Sequence, residues 1–387
     1  MVSASNFLTI AFGAWLLPLP EQAKLIYVYT SYIALVLVNA ATLFAAAPIL
    51  RDEVPDPHAY RRHLLLTQIV IALAAVIVVD VVFSAYGSVI EWQPTVAELL
   101  GLSSFLLIQQ FADFNRRAEY VFGLVAIGAG MSVIALVLRV GGLLVVQPDN
   151  AQAFMVVLAL SSLPGAVAAF WRGAWSTPLW WDRRLLKQHI SIARWSMASA
   201  PLRWSGLHLP IFLVGALSGA APAAILASIR SLSTFANVFL ELFETYIPSW
   251  MARRRVEAGL QAVKAAAIKL YVLGVAGWTT VFIVLLFFGD RLIGVALGPE
   301  YSQYSFILVI LWIGNGVTFL VRVANIRHRV EGRSFLEFVG VIAGVMALVL
   351  TIPLVNMFGP LGGAWSIVLI QLSSVAAIMW FATKRSP

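Results

Sequence analysis

Apolar runs about as long as a bilayer is thick recur along the whole chain, and Lys and Arg collect on every second connection between them. Crossing a bilayer takes about 20 apolar residues in a helix. Reading the runs against their breakers gives twelve spans, at 5–19, 25–49, 64–86, 96–114, 121–146, 153–171, 195–217, 222–248, 266–288, 303–325, 335–356 and 361–382. The first is short: 15 residues reach about 22 Å of a core about 30 Å thick. Of the 26 Lys and Arg residues, 21 fall on one side of this pattern, Lys24 and Arg291 fall on the other, and Arg139, Arg203 and Arg230 lie within spans. Basic residues mark cytoplasmic loops, so both termini are expected inside the cell. Adding or removing an internal span would scramble the alternation.

Composition agrees. With 61% hydrophobic and 11% charged residues, the chain is far from the roughly 25% charge of a soluble domain. Its net charge of +8 is accounted for by the loops, so no nucleic-acid partner is expected. Cysteine is absent and the five histidines are scattered without metal-ligand spacing, so no metal and no cofactor is expected. No Lys or Arg precedes Lys24, so the basic start of a cleaved signal peptide is missing. The longest connections, 172–194 and 289–302, are too short to fold into a catalytic domain, and no enzyme activity is expected. The first of them sets tryptophans beside basic residues. It reads either as a helix lying in the membrane interface or as an ordinary basic loop with an aromatic belt.

The expected fold is therefore all-α, a polytopic membrane protein of about twelve transmembrane helices in two six-helix bundles around a central cavity. Residues 1–172 would form the first bundle, 173–194 a cytoplasmic interfacial linker and 195–387 the second. A faint repeat supports the division: Gly13-Ala14, Pro20 and Pro48 match Gly215-Ala216, Pro222 and Pro248, with proline spacings of 28 and 26 residues. Two halves related in this way would hold a substrate between them near mid-depth.

Charges inside the spans are the candidate site residues, because a charge at membrane depth is costly and ordinarily faces water or a partner. Arg230 lies about eight residues from the outer end of its helix. No acid sits at matching depth on the preceding span, and a guanidinium fork suits a phosphate. The alternative is an arginine satisfied by backbone carbonyls. Arg203 and Glu241 lie at similar depth on adjacent antiparallel spans and are expected to pair, either as a fixed bridge or as one that opens to substrate. Asp80 and Arg139 lie equally far from the outer ends of theirs, so they either neutralise each other or leave Asp80 as a coupling site. Arg230, Arg203 and Arg139 are thus read as substrate-binding, Asp80 and Glu241 as coupling or counter-charge. Asp113, Asn115, Arg116 and Arg117 are assigned to a helix end and to topology. Gly215 with Gly219, and Gly340 with Gly344, have the spacing of close helix packing.

Four stretches carry a resemblance: Asn6 to Pro18 (NFLTIAFGAWLLP), Ala224 to Met251, Leu297-Gly-Pro-Glu-Tyr-Ser-Gln-Tyr304, and Phe358-Gly-Pro-Leu-Gly-Gly-Ala-Trp-Ser366. By their order and spacing the chain resembles the polysaccharide and lipid-linked-oligosaccharide flippases of the multidrug/oligosaccharidyl-lipid/polysaccharide exporter superfamily. The resemblance implies alternating access by two rocking bundles in a bacterial plasma membrane, for cell-surface polysaccharide biosynthesis. Its partners would be an anionic polyprenyl-linked glycan, membrane lipids and glycan-assembly enzymes. It also implies cavity basic residues that meet the phosphates, without specifying their positions. Two other readings are a multidrug-type cation exporter of the same superfamily, which would carry acids in its cavity, and a truncated non-transporting partner in a glycan export complex.

Overall fold

A computed structural model describes residues 2–51, 54, 56–90, 92–174, 182–234, 236–330 and 335–384. Among them are fourteen α-helices and no strand: α1 (Val2–Leu16), α2 (Leu19–Asn39), α3 (Ala47–Leu50), α4 (Pro57–Tyr86), α5 (Val96–Val121), α6 (Val125–Val146), α7 (Ala151–Ala174), α8 (Arg183–Ser218), α9 (Ala220–Ser233), α10 (Ala236–Leu297), α11 (Ser305–Val330), α12 (Phe335–Met346), α13 (Thr351–Phe358) and α14 (Pro360–Lys384). Each of the twelve apolar runs falls on this helical set. Eight described helical stretches are individually long and apolar enough to cross a membrane. α5 and α8 are missed by that measure because of their polar and charged residues, and α1 and α9 because they are short. The chain is a multi-pass, all-helical membrane protein.

Local chemistry explains where the helices start and break. Asp56 accepts from the backbone N–H of His58 at the start of α4, with Pro57 in the first turn. Thr95 and Glu98 form a reciprocal capping box on α5. The run at 222–248 is divided after Ser233. There the Ser231, Ser233 and Thr234 hydroxyls donate to the carbonyls of Ser228, Arg230 and Ser231, and the Thr234 N–H is shared between the Arg230 and Ser231 carbonyls. Hydroxyls that bond back to the preceding turn compete with the helix ladder and tighten it. α10 holds one non-helical residue, Gly259, at φ 73°, a backbone conformation that glycine alone adopts cheaply. A 3-10 turn at Ala347–Leu350 precedes Pro353, whose missing N–H leaves the Val349 carbonyl without its helical donor.

The chain divides into two compact units. One runs from Leu16 to Trp204; the other comprises Ser3–Trp15 together with the chain from Ser205 onward. In the first unit, α5 packs lengthwise on α7, and Gly165 lies against Ala112, where an added Cβ would come within 3.1 Å of the Ala112 Cβ. Tyr60, Leu64, Phe111, Phe114, Ala166 and Leu185 are buried in its apolar core. The segment 183–194, expected to lie in the interface, is helical and runs without a break into the span that follows, making α8 36 residues long. Residues 175–181 of the expected linker lie outside the described set. In the second unit, Gly340 and Gly344 of α12 lie directly on α14, against Ser374, Ile370 and Ile378. Gly219, by contrast, sits at φ 99° between α8 and α9 and serves the turn.

Candidate transport site: polar side chains at membrane depth

The polar residues of α5 recur at helical spacing. Gln109, Asp113 and Arg116, with Gln110 and Arg117 beside them, share one side of the helix, because residues three and four apart are neighbours on its surface. Gln109, Gln110 and Asp113 are buried. Asp113 accepts from both Arg116 and Arg117, the latter at 2.7 Å. The Gln110 amide oxygen accepts from Asn39 Nδ2 at 3.1 Å, at the point where α2 widens into a π-turn over Ala40–Phe44. Gln109 Nε2 donates to the Leu158 carbonyl at 2.9 Å and to the Ser162 hydroxyl at 2.8 Å on α7.

Arg139 reaches the same place from α6. Its Nη2 donates to Ser162 Oγ at 3.3 Å, and the residue is 6% exposed. Side chains on a helix lean toward its N-terminus, so a long arginine seven residues from the end of α6 delivers its charge nearer the middle of the unit. Ser162 lies eleven residues into α7, about 17 Å along its axis, which is near mid-depth. The Asp113 carboxylate and the Arg139 and Arg116 guanidinium groups lie within electrostatic range of the Tyr32 hydroxyl. Buried groups of both signs thus gather in the interior of the first unit. Sequence reasoning placed Arg139 there and missed Gln109, Gln110 and Asp113, whose i, i+4 spacing on the most polar span was the available signal.

Asp80 is not a partner of Arg139. Its Oδ2 accepts from the Ser103 hydroxyl of α5 at 2.7 Å, and its buried Oδ1 has no hydrogen-bond partner. Arg203 on α8 has an exposed side chain. The backbone of Glu241 is part of α10, and its side chain lies outside the described residues, as does that of Glu244.

In the second unit Arg230 stands in the last turn of α9 and donates from Nη1 to the Leu207 carbonyl of α8. The same nitrogen lies 3.4 Å from His208 Nδ1. A guanidinium can only donate, so His208 Nδ1 acts as the acceptor. Pro210 lacks an N–H, which leaves the carbonyl of Gly206, the residue before Leu207, without its helical donor. Among the described residues no carboxylate pairs with Arg230. The nearby hydroxyl-lined break between α9 and α10 is tied to α11, where Asn315 Nδ2 donates to the Ser233 carbonyl at 2.9 Å.

Two histidines distant in sequence also meet. His189 on α8 stacks on Tyr60 of α4 at 5.8 Å and lies 5.9 Å from the His63 ring. Its Nε2 is 2.9 Å from the Tyr60 hydroxyl, which in turn donates to the Ala47 carbonyl at 3.4 Å. Among the described residues no group of three or more His, Cys, Asp or Glu side chains is placed to hold a metal.

The chain is a bundle of membrane-spanning helices in two units, with charged side chains held inside each. Solved structures agree on the fold. The chain is similar to a multidrug resistance MATE family transporter of the MOP superfamily in an inward-facing conformation, with 13% identity over 98% of this chain and 94% of that one and a TM-score of 0.77. It is similar to the lipid II flippase MurJ in an inward closed conformation, with 11% identity, 100% and 86% coverage and a TM-score of 0.73. A eukaryotic MATE transporter follows at 12% identity, 100% and 93% coverage and a TM-score of 0.61. No protein-family model and no curated sequence matches the chain. The fold is that of the MOP-superfamily transporters, as the sequence resemblance implied.

Proposed function

We propose that this protein is a flippase that moves an anionic polyprenyl-linked oligosaccharide or polysaccharide precursor from the cytoplasmic to the outer leaflet of a bacterial plasma membrane. Arg230, Arg203 and Arg139 are the basic contacts in this reading, and Asp80 and Glu241 the counter-charges. The observation that carries it is Arg230, a cation in the membrane-spanning part of the chain, held by a carbonyl and a neutral imidazole nitrogen and by no described carboxylate. Such a charge repels a cationic cargo and attracts phosphate. The likeness to a lipid II flippase over the whole chain supports the same class of cargo. The alternating Lys and Arg counts support an orientation with both termini in the cytoplasm.

Likeness to a multidrug MATE transporter favours a second reading, export of an organic cation. Proteoliposomes separate the two. Flipping of a short-chain fluorescent polyprenyl-diphosphate oligosaccharide, reduced at least tenfold in R230A and R203A, is expected. Efflux of an organic cation such as ethidium with no movement of the lipid-linked sugar would establish the second reading instead.

A further inference from the structure

At the basic end of the first unit three helices converge on one carboxylate. Glu119, near the end of α5, is 0% exposed and is gripped by Arg61 from the start of α4 and by Arg172 from the end of α7, the latter at 2.8 Å. Arg61 also donates to Asn115 Oδ1 at 3.4 Å, and its guanidinium lies 5.5 Å over the Phe122 ring. Among the described residues Glu119 is the sole acid touching either arginine, so two cations share one anion. Part of their donor capacity is unspent: Arg61 Nε and Asn115 Nδ2 are buried and have no hydrogen-bond partner. Buried donors left in this state are unfavourable, so the triad has donor capacity to spare.

We propose that this triad is a binding site for the phosphate of an anionic phospholipid, a resident lipid distinct from any transported cargo. Arg172 is the entrance. Its side chain is 33% exposed, and Trp171 beside it is 64% exposed, as a residue at the boundary between headgroups and acyl chains is. A phosphate there meets the outer edge of Arg172, and the second guanidinium behind it supplies the balancing charge; basic sites between helix ends at the cytoplasmic face bind acidic headgroups in this way. That boundary position favours a lipid over a free phosphate ion. The proposal does not rest on the transport reading, since it uses only one unit and none of the residues assigned to cargo.

Native mass spectrometry of the full chain in detergent tests it, with added phosphatidylglycerol and with phosphatidylcholine of the same acyl chains. Phosphatidylglycerol is expected to stay bound at about tenfold lower concentration than phosphatidylcholine, and R172Q, altered at the exposed end, is expected to erase that difference. E119Q removes the one anion and is expected to tighten phosphatidylglycerol binding while lowering thermal stability, a combination that a purely structural bridge does not produce. Equal binding of the two lipids, or an R172Q profile like that of the unaltered protein, overturns the proposal. Millimolar inorganic phosphate that raises the melting temperature when phosphatidylglycerol does not would show a free-anion site and overturn the lipid assignment.

Discussion

Arg230 of α9 holds the Leu207 carbonyl of α8, one turn before Pro210. A residue read from sequence as a phosphate ligand therefore has a structural task as well, and the two tasks predict different variants. Replacing Arg230 with Ala is expected to cost about 1.5–3 kcal/mol, the range for a hydrogen bond to a charged group. Lys keeps a charge but not the planar fork. R230K is expected to recover most of the melting temperature and little of the flipping rate; recovery of both would leave Arg230 no part in binding through its fork.

Ser162 is the common acceptor of Gln109 and Arg139. Removing its hydroxyl takes an acceptor from two buried donors at once. S162A is expected to destabilise the protein by about 1–3 kcal/mol, and Q109L to soften that loss when added, because the second change removes one of the two donors that share the hydroxyl. Denaturation of the two single variants and the double variant, read as a cycle, checks this. Strict additivity would mean that the shared acceptor does not couple them.

Histidine 189, on the part of α8 that precedes its membrane span, gives a pH signature. Burial first, and the neighbouring His63 second, push its pKa from the ordinary 6.5 down to about 4. The unfolded chain then takes up a proton between those values while the folded one does not, so stability is full above pH 6.5 and falls as pH drops toward 4. The total is about 3 kcal/mol at 1.36 kcal/mol per unit. Melting curves at pH 7.5 and pH 5 should differ in this direction, and H189F should flatten the difference. An unchanged pH slope in H189F would assign it to other groups.

Two glycines on the same chain should respond in opposite ways to one added methyl group. A Cβ on Gly362 would intrude on the Leu354 carbonyl across the α13 to α14 turn, whereas one on Gly277 of α10 meets nothing within 4 Å. G362A is expected to lose about 1–3 kcal/mol or more, since backbone must move. G277A is expected to be neutral or to gain up to about 1 kcal/mol from helix propensity. Thermal denaturation of the two proteins in one detergent compares them.

The spans were legible because burial in lipid writes a strong, simple pattern: all twelve apolar runs fall on helices. Side-chain partners were less so. Counting residues from helix ends sets Asp80 and Arg139 level, yet Arg139 is the longer side chain, and α4 packs on α5 while α6 packs on α7, which gives each a different partner, Ser103 and Ser162. Asp113 reads as a helix-end residue because basic residues follow it, while α5 continues for two more turns and buries it. The break after Ser233 leaves no gap in hydropathy, because its hydroxyls bond to their own helix. Such signals lie in geometry that one-dimensional periodicity does not carry.

That same break gives Arg230 a counter-charge made of backbone. An α-helix ends in carbonyls whose dipoles amount to about half a negative elementary charge, worth about 0.3–2 kcal/mol to a cation within the last turn. By stopping α9 there, the three hydroxyl side chains set this negative pole beside the guanidinium. Among the described residues no carboxylate pairs with Arg230, and a backbone dipole does not titrate, so this part of the counter-charge should stay constant across physiological pH.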